Sequence, residues 1–278
     1  MKYFVVAELG ISHQGNMDEA KARIHAAAEA GADAVKLQYY DWRDIKDEFE
    51  GRKLVLEQVK QAQLELRQIR KLRDYMTREG VNFVCTPFKT RRKLLQLARL
   101  KPHAVKIRFR DGPNSSPDGI GLVRDALDSR LVQRVFASCL IPPFDRMSVM
   151  YSPKLSPAFG GAWMYCLPAY PPTPEDFNPS QSTAFNGFSD HYPHLSASLV
   201  AAALTRFDYY VIEKHIDWVN ESDPVTGPDV AVSISFKSLG ELVEHLRLFE
   251  RLKPVQKLWF PKQVKVPTGP RNPRGRVP

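Results

Sequence analysis

Two histidines near the end of the chain stand where short apolar runs finish. His191 closes Gly187-Phe188-Ser189-Asp190-His191, and His215 closes Tyr209-Tyr210-Val211-Ile212-Glu213-Lys214-His215. One helix-length segment separates them, and parallel strands joined by a helix carry both imidazoles to the same rim. Two neutral imidazoles there can hold Mn²⁺ or a similar divalent metal, with water completing the shell. Near the other end, Glu8 closes a first strand and Lys36 lies in a second. The apolar approach Phe4-Val5-Val6-Ala7 argues for partial burial of Glu8, which raises its pKa and suits it to proton transfer. Lys36 and Lys106 each interrupt an apolar strand, and buried lysines are paired or bind anions. The plainer alternatives are two satisfied histidines and internal ion pairs with Glu8, Asp111 or Glu213. Two metal ligands, a carboxylate and a lysine at strand ends describe a barrel active site better than a packed core.

The elements that must position these groups follow from periodicity and punctuation. Residues 2–9 read as a buried strand. Asn16 caps a helix over 17–30 that Gly31 ends, and 34–38 is the second strand. The charged stretch 52–79 carries Leu54, Val55, Gln58, Val59, Ala62, Leu66, Ile69, Leu72 and Met76 on one side, which predicts a long second helix. Further strands fall at 81–86, 104–107, 131–138, 161–167, 185–190 and 209–213, with helices at 89–100, 195–206 and 236–252. Residues 110–119 form a turn-rich loop, 121–127 a short helix at best, and 142–159 give only weak helix signals. Eight apolar strands alternating with helices predict a (β/α)8 TIM barrel over 1–252, followed by a basic, proline-rich tail at 253–278. An open doubly wound sheet is disfavoured because no Gly-x-Gly-x-x-Gly follows the first strand.

The same strand ends carry a recognisable series. It runs Val6-Ala7-Glu8-Leu9-Gly10-Ile11-Ser12-His13-Gln14-Gly15, then Ala30-Gly31-Ala32-Asp33-Ala34-Val35-Lys36-Leu37-Gln38 and Cys85-Thr86-Pro87-Phe88. Ala104-Val105-Lys106-Ile107 and Tyr170-Pro171-Pro172-Thr173-Pro174 follow. Ser189-Asp190-His191, Ile212-Glu213-Lys214-His215 and Gly227-Pro228-Asp229 complete it. Over roughly residues 3–250 the series resembles the sialic acid synthase (nonulosonate synthase) family. The resemblance implies a barrel enzyme that condenses phosphoenolpyruvate with an aldehyde or amino-sugar acceptor, using a divalent metal, commonly Mn²⁺, with Mg²⁺ or Co²⁺ as alternatives. It places the metal on His191 and His215, and the catalytic carboxylate on Glu8. Phosphoenolpyruvate would meet Lys36, Thr86, Lys106, Ser138 and Ser189, and the acceptor Gln38, Tyr170 and Asp229.

Departures from that pattern are also informative. A Gly-Ser or Ala-Ser step and a glutamate are replaced by Arg108, Phe109, Arg110 and Asp111, so Arg108 or Arg110 can stand in for the lost donors, and Arg108 and Asp111 join the expected substrate-binding residues. Pro168 replaces a family asparagine, and Ala137-Ser138-Cys139 replaces Ser-Thr-Gly. The family's C-terminal antifreeze-like domain is not expected in this chain, so the resemblance covers the barrel alone. Asp190 is a further acceptor-side candidate, His13 an exposed loop residue, and Tyr39, Tyr40 and Trp42 a wall of the mouth or a subunit contact.

Seven Lys or Arg residues at 253–278 supply most of the net charge of +9, leaving the barrel nearly balanced. No zinc-finger spacing, basic helix or aromatic platform points to nucleic acid. No apolar run spans a bilayer, no signal-peptide pattern opens the chain, and Cys85, Cys139 and Cys166 read as buried thiols in a reducing cytoplasm. A homodimer is a candidate assembly. Two other functions remain open at this level: a metal-dependent aldolase or lyase that does not use phosphoenolpyruvate, and a non-catalytic barrel acting as a binding subunit.

Overall fold

Side chains alternate across a β-strand, so each apolar run must choose which of its residues face the barrel axis and which face the helices. The computed structural model describes residues 1–112, 121–141, 152–219 and 229–252. Among these residues the strands are β1 (Lys2–Glu8), β2 (Ala34–Tyr39), β3 (Asn82–Pro87), β4 (Ala104–Ile107), β5 (Val135–Cys139), β6 (Ala162–Tyr165), β7 (Gly187–Asp190) and β8 (Tyr209–Ile216). Each pairs in parallel with the next, and β1 pairs with β8 to close the sheet. The expected (β/α)8 barrel is therefore the observed fold. A two-residue β9 (Ser233–Ile234), not expected from the sequence, adds to the far end of β8.

Outward residues such as Val5, Ala7, Val35, Leu37, Val105 and Ile107 join the large core beneath the helices. Inward residues at the N-terminal end, including Phe4, Val6, Phe136, Met164 and Val211, form a separate apolar plug. The helices are α1 (Met17–Glu29), α2 (Trp42–Ile45), α3 (Lys53–Ala62), α4 (Leu66–Arg78), α5 (Arg91–Ala98), α6 (Leu122–Asp128), α7 (Pro179–Ser182), α8 (Ser196–Leu204) and α9 (Phe236–Leu252). The Asn16 side chain caps α1 by accepting from Asp18 N and Glu19 N, as its position predicts. Helix α9, at the bounds expected for the last helix, buries Leu239, Leu242, Val243 and Leu246.

The long second helix is two helices. Between α3 and α4, Leu64 turns into the core, Gln63 Oε1 accepts from Trp42 N, and Glu65 with Gln68 builds a capping box that restarts the helix. Leu54, placed on the buried stripe by periodicity, is instead 82% exposed. The chain also makes α2 and a 3-10 turn at Lys46–Phe49, neither expected. Strands β5, β6 and β7 are shorter than predicted, and β8 is longer, so His215 lies within its strand rather than at its end. Residues 113–120, 142–151 and 220–228, which include parts of the 110–119 loop and of 142–159, lie outside the described residues, as does the tail at 253–278. Among the described residues, no helix is long and apolar enough to cross a membrane.

Candidate active site

Beyond the plug, the inward positions turn polar and line a cavity of about 260 Å³ at the C-terminal mouth of the barrel. Glu8, Lys36, Thr86, Lys106, Ser138 and Glu213 each stand two residues beyond a plug residue of their own strand. Strand alternation thus brings together groups spread over more than 200 residues of chain.

A four-charge cluster forms the floor. Glu213 Oε1 accepts from Lys36 Nζ at 2.8 Å, Lys106 Nζ at 2.7 Å and Ser189 Oγ at 2.9 Å. Lys36 Nζ lies 3.2 Å from Glu8 Oε2, and Gln38 Nε2 donates to Glu8 Oε1 at 2.7 Å. Glu8 is fully buried, beyond the partial burial expected. That burial raises its carboxyl to about 7, against the pull of Lys36. Glu213 behaves oppositely: burial alone would raise it, but Lys106 and Lys36 hold it well below the usual carboxylate range. Lys36 is raised, since Glu213 and Glu8 outweigh its burial, whereas burial lowers Lys106. Lys106 Nζ also donates to Ser189 Oγ at 3.2 Å, so each lysine, with two of its three N–H groups engaged, has one left. Thr86 Oγ1 and Glu213 Oε2 are buried without a hydrogen-bond partner among the described residues.

The imidazoles stand beside this cluster, with ring centroids 5.5 Å apart. Burial keeps both uncharged: His215 falls to about 3, and His191 falls well below its ordinary value with help from His215. Nδ1 of each is buried and makes no hydrogen bond among the described residues. Tyr170 packs edge-on against both rings and donates to Asp229 Oδ1 at 2.6 Å. Asp229 Oδ2 accepts from Ile11 N at 2.8 Å, and Asp229 Oδ1 lies 3.9 Å from His215 Nδ1. Gly10 is required here. Its φ is +56°, and a Cβ would sit 2.0 Å from Asp229 Oδ2. The donor set suits a borderline divalent metal: two neutral imidazoles, each with an Nδ1 that makes no hydrogen bond among the described residues, and a carboxylate nearby. Among the described residues no group of three or more His, Cys, Asp or Glu side chains is arranged to hold a metal by protein ligands alone.

Several expected residues lie elsewhere. Asp111 does not line the cavity; it sits behind Arg108, accepting from Nε at 2.6 Å. Arg108 lines the rim and is bound to Glu48 and Asp111 rather than to the lysine cluster. Asp190 faces away from the barrel, accepting from Ser198 Oγ and pairing with Lys214, because it falls between the inward positions Ser189 and His191. His13 is buried, not exposed, and its Nδ1 accepts from Gly15 N. Sequence reading treated Glu213 only as an ion-pair partner, although its place two residues before His215 signals the same inward face. Glu48 and Cys166 also line the cavity. Cys166 shares the inward parity of Met164, but nothing in the sequence marks Glu48.

A (β/α)8 barrel with a buried polar cluster at its C-terminal mouth defines an enzyme-like scaffold. The chain belongs to the NeuB family, whose model matches residues 23–112 and 162–256. It is 27% identical to human N-acetylneuraminate-9-phosphate synthase over 269 residues, covering 89% of this chain and 70% of that protein. It is 30% identical to the spore coat polysaccharide biosynthesis protein SpsE of Bacillus subtilis, covering 89% and 67%. The solved N-acetylneuraminic acid synthetase of Leptospira borgpetersenii superposes with a TM-score of 0.75 at 26% identity, covering 92% of this chain and 86% of that one. A truncated 3-deoxy-D-arabino-heptulosonate 7-phosphate synthase from Thermotoga maritima, at 13% identity and TM-score 0.58, shares the fold.

Proposed function

We propose that the chain condenses phosphoenolpyruvate with an aldehyde, forming a 3-deoxy-2-keto, nonulosonate-like acid and inorganic phosphate. The observation that carries this reading is the juxtaposition, on one barrel rim, of two buried lysines, a buried carboxyl raised to about 7 and two uncharged imidazoles. Membership of the NeuB family supports it.

In this reading Lys36 and Lys106 bind the phosphate and carboxylate of phosphoenolpyruvate, with Thr86 and Ser138 donating hydroxyl hydrogen bonds and Ser189 turning its one O–H from Glu213 to do the same. Glu213 holds both ammonium groups at fixed positions and offsets their charge while the site is empty of anions. Gln38, Tyr170 and Asp229 orient the acceptor. C3 of phosphoenolpyruvate attacks the aldehyde carbon, water adds at C2, and the C2–O bond to phosphate breaks. Glu8 takes the proton of that water, a role suited to a carboxyl poised near neutral pH. His191 and His215 would hold a divalent metal, Mn²⁺ by preference, which when bound supplies Lewis-acid polarisation of the acceptor carbonyl. Three buried free thiols support a cytoplasmic setting.

The test is phosphate release from the purified chain with phosphoenolpyruvate, Mn²⁺ and a panel of aldoses and amino sugars, against His191→Ala. We expect acceptor-dependent release that falls at least ~100-fold in the variant, about 2.7 kcal/mol of barrier. Phosphate release that persists in His191→Ala would remove the imidazole pair from the chemistry.

A further inference from the structure

A second cavity, of about 280 Å³, lies outside the barrel wall, between the end of β2, the break from α3 to α4 and the first turns of α5. The condensation leaves it unused. Its volume is at the small end of ligand sites, which run from about 300 to 1,000 Å³, and so suits a metabolite of amino-acid size rather than a nucleotide. Tyr40 lines this cavity and the catalytic one alike, so its side chain is a wall shared by the two.

The two sides of the second cavity carry opposite charges. On the α5 side, Arg92 and Gln96 share one helix face, with Lys93 beside them. Lys93 is paired with Asp44, but Arg92 makes no hydrogen bond or ion pair among the described residues. The side formed by β2 and α4 is acidic. Asp41 Oδ1 accepts from Arg43 N at 3.0 Å, and Oδ2 keeps only a 3.4 Å contact with Arg43 Nη1. Glu65 adds a second carboxylate, which also meets the exposed Arg67 at 2.7 Å. No ion pair joins the two sides among the described residues. Two amides complete the lining. Gln96 Oε1 accepts from Tyr39 OH at 3.0 Å and Gln63 Oε1 from Trp42 N at 2.8 Å, which leaves each amide NH2 without a partner among the described residues.

Charges of both signs, held apart across a space of this size, match a small molecule that carries both. We propose that this cavity binds a free polar α-amino acid, with its carboxylate on Arg92 and its ammonium on Asp41 and Glu65, and that occupancy steadies residues 41–49 at the catalytic mouth. A simple anion answers Arg92 but faces the two carboxylates, and a simple cation meets the reverse. A polar side chain suits the two free amide NH2 groups. The link to the mouth runs through the lining itself. Gln63 and Lys93 hold the 41–49 segment by Trp42 N and Asp44, and that segment carries Ile45, Glu48 and Phe49 into the lining of the catalytic cavity. Binding there is independent of the condensation and needs no turnover.

The experiment is calorimetry of the full chain with L-glutamine, set against 4-aminobutanamide, which lacks its carboxylate, and glutaramate, which lacks its ammonium. We expect L-glutamine to bind at least ~10-fold more tightly than either. Arg92→Gln and Asp41→Asn should each weaken it by roughly 5-fold. Neither substitution disturbs the fold, since Arg92 is exposed and asparagine keeps the oxygen that caps α2. Hydrogen exchange over residues 41–49 should slow when L-glutamine is bound. The absence of saturable heat with millimolar L-glutamine overturns the proposal. So does equal affinity for the three compounds, or L-glutamine binding that both variants leave unchanged, the result of a ligand held elsewhere. Unchanged exchange over 41–49 with L-glutamine bound overturns the link to the mouth.

Discussion

The two ends of the barrel interior are built from the same strands and differ in almost every physical respect. At the N-terminal end, Phe4, Val84, Ala104, Phe136, Met164 and Val211 fill the space with apolar atoms. Two residues beyond Val84, Ala104, Phe136, Met164 and Val211 stand Thr86, Lys106, Ser138, Cys166 and Glu213. The apolar layer gains from water exclusion and close packing. The polar layer must bury two lysines and two carboxylates, whose mutual attraction offsets a desolvation cost of several kcal/mol per ion. One end supplies stability, and the other holds charged groups around the cavity at some cost to stability.

The largest effects should come from breaking one layer at a time. Phe136→Ala leaves a cavity in the plug and should cost ~3–5 kcal/mol of unfolding free energy, with the turnover of each folded molecule preserved. Glu213→Ala leaves Lys36 and Lys106 buried without their shared partner and should cost a similar ~3–5 kcal/mol while also abolishing turnover. Urea unfolding and turnover per folded molecule measure both. A cost below ~1 kcal/mol for Glu213→Ala would mean that the polar layer is already hydrated, and the contrast between the two ends would collapse.

Glu8→Gln sharpens the comparison through pH. With the carboxyl raised to about 7, catalytic efficiency should rise with pH through that value, and the residual activity of the variant should lack that limb. Stability carries the opposite sign. Because the folded value lies above the ordinary 4.5, the contribution of Glu8 is complete below that value and is lost as pH rises through about 7. Glu8→Gln should therefore flatten this part of the stability profile. A pH–rate profile unchanged in shape would remove Glu8 from proton transfer.

The smallest effect belongs to the apolar end. His103 stacks on Phe4 at 4.9 Å, and burial lowers it to about 4. Its contribution to stability is present above its ordinary 6.5 and is lost as pH falls through about 4. His103→Phe should remove a shallow decline in melting temperature between those values. An identical decline in the variant would assign it to other groups.

Much of this was legible in the sequence, for a definite reason. Parallel strands in a barrel are short, apolar and punctuated by helices, so their number and order survive in the one-dimensional pattern. Alternation also fixes which residues share a face. It groups Glu8, Lys36, Lys106 and His215, and applied consistently it would have added Glu213 and removed Asp190. Helical periodicity misled where local turn chemistry won, at the break between α3 and α4 that Leu64 and the capping box impose.

The sequence by itself determined the barrel, its strand order and the parity that points a polar layer into the mouth, because these depend on local pattern alone. Only the tertiary structure decided that Glu213 is shared by two lysines, that Asp229 braces Gly10 and Tyr170, and that Asp111 supports Arg108 instead of facing the cavity. It alone placed Glu48 in the Arg108 fork. Those contacts join residues 59 or more apart, except for Arg108 and Asp111 at a spacing of three. They depend on closure of the barrel and on the path of its loops, which no local pattern encodes.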